Sequence, residues 1–333
     1  MSLRTKGVIA LVTVAAVWVG HGISTAEEHE PAVTDATPPP AVLVTGASTG
    51  IGRSITEHLA ANGVFVYAGA RTQSDLDALD ALDNVQSIRL DVTVDADIQA
   101  AVETVTKAGR GLHGLVNNAG VAIVGPLIEV EESDLDFLFD VNVYGPYRVT
   151  KAFAPLLIES KGRVTTISSI SGILSGTLFG PYSMSKHAIE AYSDSLAREL
   201  ARFDVTVSVV EPGNYRSQIG ATLKKRMEAQ GIDPEDSRYA EDMRRMMSRM
   251  GSDPSDEADP IAVAEAVHHA LFSDHPKMRY MVVPNQRQAE ITIRKQIEEL
   301  VELNQDHVYS YDRDELVAML DEALAAVTEE APE

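Results

Sequence analysis

Within the stretch Ser169–Lys186, SISGILSGTLFGPYSMSK, Tyr182 and Lys186 stand four residues apart. On a helix that spacing puts both side chains on one face, a turn from each other. Ser169 precedes Tyr182 by thirteen residues and follows the apolar run Val164–Ile167, which reads as a buried strand. A hydroxyl at the C-terminal end of a strand, facing a Tyr/Lys pair on the next helix, makes a proton-transfer site. A phenol in water titrates near about 10, too high for easy exchange at neutral pH. A neighbouring ammonium favours the phenolate, so Lys186 is expected to bring that value down toward the working range of a general acid/base. Taken alone, Tyr-x-x-x-Lys also describes an ordinary pair on a helix surface, so its weight depends on the elements around it.

Those elements alternate. From Ala41 onward, short apolar runs exchange with longer amphipathic segments, the pattern of a parallel sheet covered by helices. The expected fold is α/β, a doubly wound parallel sheet of Rossmann type in one domain with a C-terminal helical extension. Ala41–Val44 is the first strand and runs directly into Thr45-Gly46-Ala47-Ser48-Thr49-Gly50-Ile51-Gly52, then a helix to about Ala61. Gly46, Gly50 and Gly52 let backbone pass close to a ligand, and the helix N-terminus offers free N–H groups to a pyrophosphate. The residues between them, Ser48, Thr49 and Ile51, belong to the same candidate cradle. The spacing is G-x-x-x-G-x-G rather than G-x-G-x-x-G. A glycine turn that binds nothing is the plain alternative.

A second strand, Val64–Ala70, ends at Arg71. An acidic residue at such a strand end suits the ribose hydroxyls of NAD, whereas a guanidinium suits a 2′-phosphate. Arg71 therefore points to NADP, with NAD possible and a solvated surface arginine as the bland reading. Ser87–Leu90 is a third strand ending at Asp91, placed for an adenine amino group or for capping the helix Asp95–Lys107. The fourth strand, His113–Val116, leads into Asn117-Asn118-Ala119-Gly120, where Asn118 can tie loops together and Ala119-Gly120 leave room for a ribose. His113 is assigned no chemistry. Glu131–Ile158 reads as one long helix with Asn142 inside it, either solvated or given a polar task. The Tyr182 helix continues to about Arg202, and a strand Val205–Val210 leads to Glu211-Pro212-Gly213.

Thr45–Gly52, Asn117–Gly120, Asn142, Ser169, Tyr182-x-x-x-Lys186 and Pro212-Gly213, in this order and at these intervals, resemble the motif set of the short-chain dehydrogenase/reductase family across about residues 41–285. The resemblance implies an NAD(P)-dependent oxidoreductase that interconverts an alcohol with a ketone or aldehyde. It implies Tyr182 as general acid/base and Lys186 as the group that lowers its pKa and contacts the nicotinamide ribose. Ser169 would steady the substrate oxygen, Asn142 would hold a relay water, and Asn118 would support the cofactor loop. Pro212 and Gly213 would flank the nicotinamide, and Ser217 stands where the family often has a carboxamide-binding Thr. The phrases VYAGAR, GLVNNAG and AYSDSLARELARF are similar to the retinol and hydroxysteroid dehydrogenase branch, which implies an apolar substrate such as a retinoid or steroid. The same resemblance implies dimers or tetramers built through the helices of Asn142 and Tyr182. A dinucleotide sensor or scaffold of the same fold, without catalysis, is the rival; retention of Ser169, Tyr182 and Lys186 together speaks against it.

Composition bounds the partners. A net charge of −22 leaves no basic stripe for nucleic acid or for an anionic membrane surface. Cysteine is absent, which excludes disulfides and thiolate chemistry, and no metal site is expected. His268 and His269 are adjacent on a helix, Pro260–Phe272, and face different ways. Residues 1–26 combine Arg4 and Lys6, an uncharged run from Gly7 to Gly20, and Ser24-Thr25-Ala26, which reads as a signal peptide or an N-terminal membrane anchor. Either exports the body of the protein, periplasmic or secreted; an uncut tail on a cytoplasmic enzyme is the alternative. Residues 27–40 read as an acidic, proline-rich disordered linker. Residues 218–258, with Met227, Met243, Met246, Met247 and Met250, are read as a substrate lid, core filler being the competing account of a Met stripe. Met278–Val283 is the expected last strand, and helices over Gln286–Leu303 and Arg313–Val327 fall in an extension, 286–333, of unassigned role.

Overall fold

The structure is a computed structural model, and it describes residues 40–250 and 257–329. The expected leader 1–26, residues 27–39 of the linker, residues 251–256 of the lid, the Met250 side chain and residues 330–333 lie outside the described residues.

Seven strands alternate with helices along the chain: β1 (Ala41–Val44), α1 (Gly50–Ala61), β2 (Phe65–Ala70), α2 (Gln73–Asp80), β3 (Val85–Arg89), α3 (Asp95–Ala108), β4 (Gly114–Asn117), α4 (Glu132–Phe139), α5 (Gly145–Ser160), β5 (Arg163–Ile167), α6 (Gly180–Leu200) and β6 (Thr206–Pro212). Then come α7 (Ile219–Ala229), α8 (Ala240–Met250), α9 (Ile261–Phe272), β7 (Arg279–Val282), α10 (Gln286–Leu303) and α11 (Arg313–Glu329). All strands are parallel in the order β3-β2-β1-β4-β5-β6-β7. The order reverses between β1 and β4, paired as Val42↔Gly114 to Val44↔Val116, and a cleft opens beyond the C-terminal ends of strands at such a point.

β1 shows why these runs form strands: all four of its residues are buried, as both faces of the sheet are covered. Successive side chains point to opposite faces. Val42 and Val44 join one apolar cluster with residues of α1 and α9, while Ala41 and Leu43 join another with residues of α3 and α5. A third, smaller cluster is formed by Val124, Leu178, Leu223, Met227, Met243 and Met246.

One expectation is corrected. The segment read as a continuous helix over Glu131–Ile158 is α4 and α5 separated by a π-helical turn, Asp140–Tyr144. Pro146 has no N–H to offer the carbonyl of Asn142, four residues back, so the α-ladder cannot run through this point. The widened turn is where Asn142 is carried inward, to 2% exposure.

The C-terminal helices belong to the same compact unit as the sheet, Pro38–Glu333. Their attachment is light. Thr292 is the buried side chain of α10, while Ile293, Ile297 and Leu300 are about half exposed, at 51%, 54% and 50%.

Candidate active site

The glycine turn follows directly from β1. Gly46 sits at φ +63°, and a Cβ there would come within 2.9 Å of the Ala119 Cα. At Gly52 a Cβ would overlap the Gly46 carbonyl and the Asn118 amide nitrogen. The turn after β1 is thus folded against the turn after β4, and side chains at these two positions would prise them apart. Asn118 does the joining: its Nδ2 donates to the carbonyls of Thr45 at 2.9 Å and Gly46 at 3.0 Å. In return the Thr45 hydroxyl oxygen accepts from the backbone N–H of Asn118 and of Ala119, each at 3.0 Å. Nothing in the spacing of the motifs singled out Thr45 for this clasp.

The cleft over these turns has a volume of about 1050 Å³. That is the upper end of the range for ligand sites, room for a dinucleotide with a small substrate. Gly46, Ser48, Thr49, Gly50, Ile51 and Gly52 form its floor, and Asn118, Ala119 and Gly120 the adjoining edge. Ser217 closes over the turn, its Cα 3.2 Å from where a Cβ on Gly50 would stand. Arg71 and Asp91 line the far end. The Arg71 side chain is 66% exposed and 3.9 Å from the Asp91 carboxylate, a loose pair that leaves the guanidinium open to a ligand. Asp91 does not cap α3. Its Oδ1 accepts from the backbone N–H and the hydroxyl of Thr93, at 3.0 and 2.7 Å, shaping the turn ahead of the helix. Thr72, Asp75 and Val92 join this end; sequence reasoning missed them because nothing but the fold brings them to the cleft.

At the other end, Ser169, Tyr182, Lys186, Pro212 and Gly213 converge on the same cleft. β5 and β6 are hydrogen-bonded neighbours, so the Ser169 turn and the Pro212-Gly213 loop leave the sheet side by side. α6 then lays Tyr182 and Lys186 across both. Ser169 opens a single 3-10 turn, Ile170–Gly172, and its Oγ accepts from the Ser171 N–H at 3.1 Å, which fixes the hydroxyl at the strand end. Lys186 is 6% exposed, and its Nζ donates to the Ile167 carbonyl at 3.0 Å.

The electrostatics correct the expectation that Lys186 makes the phenol acidic. Tyr182 is pushed up to about 12 by desolvation, against which its hydrogen bond with Ser169 pulls down. The ammonium stands 5.6 Å from the ring centroid and is committed to Ile167. Burial lowers Lys186 itself to about 8, with the charge of Glu190 pulling the other way. Both groups are held toward their neutral forms, because each loses the water that would solvate its charge.

Asn142 lies behind the cleft wall. Its Oδ1 accepts from the Val121 N–H at 2.9 Å, and its Nδ2 donates to the Val121 carbonyl at 2.9 Å and to Ser185 Oγ at 3.1 Å. Both amide hydrogens are spent on holding the loop after β4 to α6, so the side chain has no donor left for a water.

Tyr215, with Leu223 and Met246 of the segment 218–258, lines the cleft together with Val124, Leu178 and Phe179. Of the methionines, Met227 and Met243 fill the third cluster, and Met246 belongs to that cluster and also lines the cleft. Arg226 anchors α7 to the buried Asp134 of α4 at 2.5 Å, with Gln230 donating to the same oxygen at 3.0 Å. A contact invisible in the sequence reaches in from the extension: Gln288 of α10 accepts through Oε1 from the Asn214 N–H at 2.9 Å, bracing the loop that carries Gly213. His268 and His269 have separate partners, His58 at 3.1 Å and Tyr280 at 2.8 Å, and among the described residues no group of three or more metal-ligating side chains forms.

Known proteins agree with this geometry. The sequence profile of the family described as short chain dehydrogenase matches residues 40–228. The mitochondrial D-beta-hydroxybutyrate dehydrogenase of Mus musculus is 35% identical over 269 residues, covering 74% of this chain and 77% of that protein. Retinol dehydrogenase 5 of Mus musculus is 35% identical over 257 residues, covering 72% of this chain and 79% of that protein. Among solved structures, a short chain dehydrogenase/reductase from Burkholderia phymatum in complex with NAD superimposes with a TM-score of 0.68 at 25% identity, covering 83% of this chain and 98% of that one.

The electrostatics yield a direct measurement. In an ultraviolet difference titration of the ligand-free wild type against Tyr182→Phe, the Tyr182 phenolate should stay absent until the pH approaches about 12. A Tyr182 phenolate signal near neutral pH would show that the ammonium, not desolvation, governs the ring.

Proposed function

We propose, on the premise that this chain belongs to the short-chain dehydrogenase/reductase family, that it interconverts an apolar alcohol and its ketone or aldehyde with NADP(H). The coarse activity follows from membership: an NAD(P)-dependent oxidoreductase acting on CH–OH groups. What carries the finer reading is that Ser169, Tyr182 and Lys186 line the same cleft as the glycine turn, opposite an apolar wall.

The residues present fit a nicotinamide dinucleotide. Gly46 and Gly52 leave backbone where any side chain would intrude, and α1 presents its N-terminus to a pyrophosphate. Ser217, Pro212 and Gly213 would border the nicotinamide, Asn118, Ala119 and Gly120 the ribose beside it, and Asp91 the adenine. Arg71, exposed and loosely paired, favours a 2′-phosphate. When bound, the cofactor supplies or accepts the hydride. In the reductive direction Tyr182 delivers its proton to the substrate oxygen, and that oxygen accepts a hydrogen bond from Ser169. A phenol held protonated suits this direction, since it reaches the substrate carrying the proton to be given. Lys186 places a positive charge behind the ring and stabilises the phenolate left after transfer. Asn142, its amide spent on Val121 and Ser185, serves by fixing the loop that borders the cofactor; any relay water would be left to its backbone carbonyl.

The wall of Val124, Leu178, Phe179, Tyr215, Leu223 and Met246 suits a hydrophobic substrate of retinoid or steroid kind. Arg245 is the lid cation that lines the cleft, and it is engaged by Glu241 at 2.6 Å and Asp242 at 3.8 Å. Among the described residues, a hydroxy acid of the kind named for the hydroxybutyrate dehydrogenase would find no positive charge at that end without an acidic partner. Residues 218–258 act as the lid and 41–285 as the catalytic domain, with 286–333 bracing the cofactor loop through Gln288. Pairing through α5 and α6 would cover Tyr144, Tyr147 and Met184, exposed at 53%, 47% and 45%; molar mass in solution reports it. Residues 1–26 export the protein or tether it; among the described residues no helix is long and apolar enough to cross a membrane.

Replacing Tyr182 with Phe should lower kcat for NADPH-dependent carbonyl reduction roughly 10²–10⁴-fold while leaving cofactor affinity nearly unchanged. Equal turnover by the variant would remove Tyr182 from the reaction, and NADP binding without turnover of any carbonyl or alcohol by the wild type would make the chain a sensor. Direct titration of Arg71→Ala should show NADP affinity reduced roughly tenfold or more with NAD affinity unaltered, the loss expected for one charge-assisted contact. N-terminal sequencing of the mature protein should begin at Glu27 if the leader is cut, and at the initiating end if it is kept.

A further inference from the structure

Side chains at 182, 186, 190 and 194 follow each other along α6 at intervals of one turn. The first two line the cleft; the next two lead away from it into a cluster that the reaction as described does not use. Glu190 is 9% exposed and Glu211, at the end of β6, is 2% exposed. Arg279 of β7 gathers them: its Nη2 lies 3.3 Å from Glu190 Oε2 and 2.8 Å from Asp194 Oδ1, and its Nε 3.4 Å from Glu211 Oε1. Beyond this guanidinium, no hydrogen-bond donor reaches either oxygen of Glu190 or the Oε1 of Glu211. Three carboxylates thus converge on one cation in a place where two of them are buried.

Such a cluster sheds charge by keeping a proton. Glu211 is the member that holds it: burial first, then the charge of Glu190, raises its carboxyl to about 7. Glu190 stands one turn along α6 from Lys186, and its charge opposes the lowering that burial brings to the amine. The same side chain touches the Ser169 turn. A Cβ on Gly172 would stand 2.8 Å from Glu190 Oε1 and 3.1 Å from the buried, unpartnered Ser168 Oγ, so a glycine there is what admits the carboxylate.

We propose that Glu190 is a positioning residue for this site: its carboxylate, gathered with Glu211 on Arg279 and set one helical turn from Lys186, is the counter-charge to the Lys186 amine behind Tyr182. The proposal rests on the reading of Tyr182 and Lys186 given above. The titratable groups facing Glu190 are Lys186 and Asp194 from its own helix, Glu211 from β6 and Arg279 from β7; Ser168 and Gly172 complete the surround from the turn after β5. As pH rises through about 7, Glu211 gives up its proton and the pair gains a second negative charge. That strengthens the hold on Lys186 just below the pH of about 8 at which the amine begins to discharge.

The test reads Lys186 itself. In ligand-free protein carrying ¹³C at the lysine ε-carbons, the Lys186 resonance is assigned by its disappearance in Lys186→Arg and followed against pH. Glu190→Gln should bring the midpoint down by ~1 pH unit or more, the effect of removing one close opposite charge. Glu211→Gln, which mimics the protonated acid, should shift it less. An unchanged midpoint in Glu190→Gln, or a larger fall in Glu211→Gln, would overturn the proposal. Should Glu190→Gln fail to fold, Glu190→Asp keeps the charge but draws it back, and its midpoint should fall by a smaller amount; no fall refutes the assignment. In turnover with NADP(H), Glu190→Gln should lose kcat/KM at a pH about one unit lower than the wild type, whereas a merely structural defect would depress the profile evenly. If the wild type turns over no carbonyl or alcohol, the functional reading fails, while the lysine titration still judges Glu190.

Discussion

Lys186 is 6% exposed, and an ammonium that far from water gives up its proton unless neighbouring groups replace the lost hydration. Two groups do so here. The Ile167 carbonyl, at the end of β5, accepts a hydrogen bond at 3.0 Å, and Glu190 supplies a charge from one turn along the helix. The backbone acceptor is available because β5 ends at Ile167, leaving the carbonyls beyond it outside the sheet ladder. The glutamate is held in this buried place by Arg279, which gathers it with Glu211. Remove either and the amine discharges at a lower pH, so the charge that would steady the phenol's anion is lost sooner.

Dryness at this end of the cleft works in two directions. It raises Tyr182 to about 12, which looks like a handicap for acid/base chemistry. It also strengthens every electrostatic contact made there, because fewer water dipoles compete. The positive charge that an oxidised nicotinamide ring carries would act on the phenol through the same poorly screened medium. Tyr182 is therefore poised by its surroundings rather than acidified by Lys186 alone.

The parallel sheet explains why residues so distant in the chain meet. Every strand delivers its C-terminal end to the same edge, so the glycine turn after β1, the Asn118 turn after β4, Ser169 after β5 and Gly213 after β6 need only short loops to face one space. Close contact between loops is then enforced by small residues and by side chains spent on backbone. Asn118 holds the first two loops together, Asn142 holds the β4 loop to α6, and Gln288 braces the β6 loop from the C-terminal extension. None of these three amides needs to touch a substrate to matter. Each fixes a backbone whose position decides whether the cleft is open at the right width.

Much of this is legible in the sequence. β1 is four apolar residues followed at once by a turn that carries Gly46, Gly50 and Gly52, and Tyr182 and Lys186 lie one helical turn apart whatever surrounds them. These are local facts, set by strand and helix periodicity and by which residues tolerate a tight turn. The break in the helix around Asn142 was not visible, because Pro146 reads as an ordinary first-turn proline until the π turn before it is seen. Glu190 carried no signal, being one acidic residue among many on an amphipathic helix. Its partners Glu211 and Arg279 sit 21 and 89 residues further on, brought beside it only when β6 and β7 pair. The chain alone determined the succession of strands and helices around the sheet and the pairing of Tyr182 with Lys186 on one helix face, since both follow from spacings of a few residues. The tertiary structure decided which charges that pair meets and how dry it is, because burial and long-range electrostatics exist only once distant segments have packed.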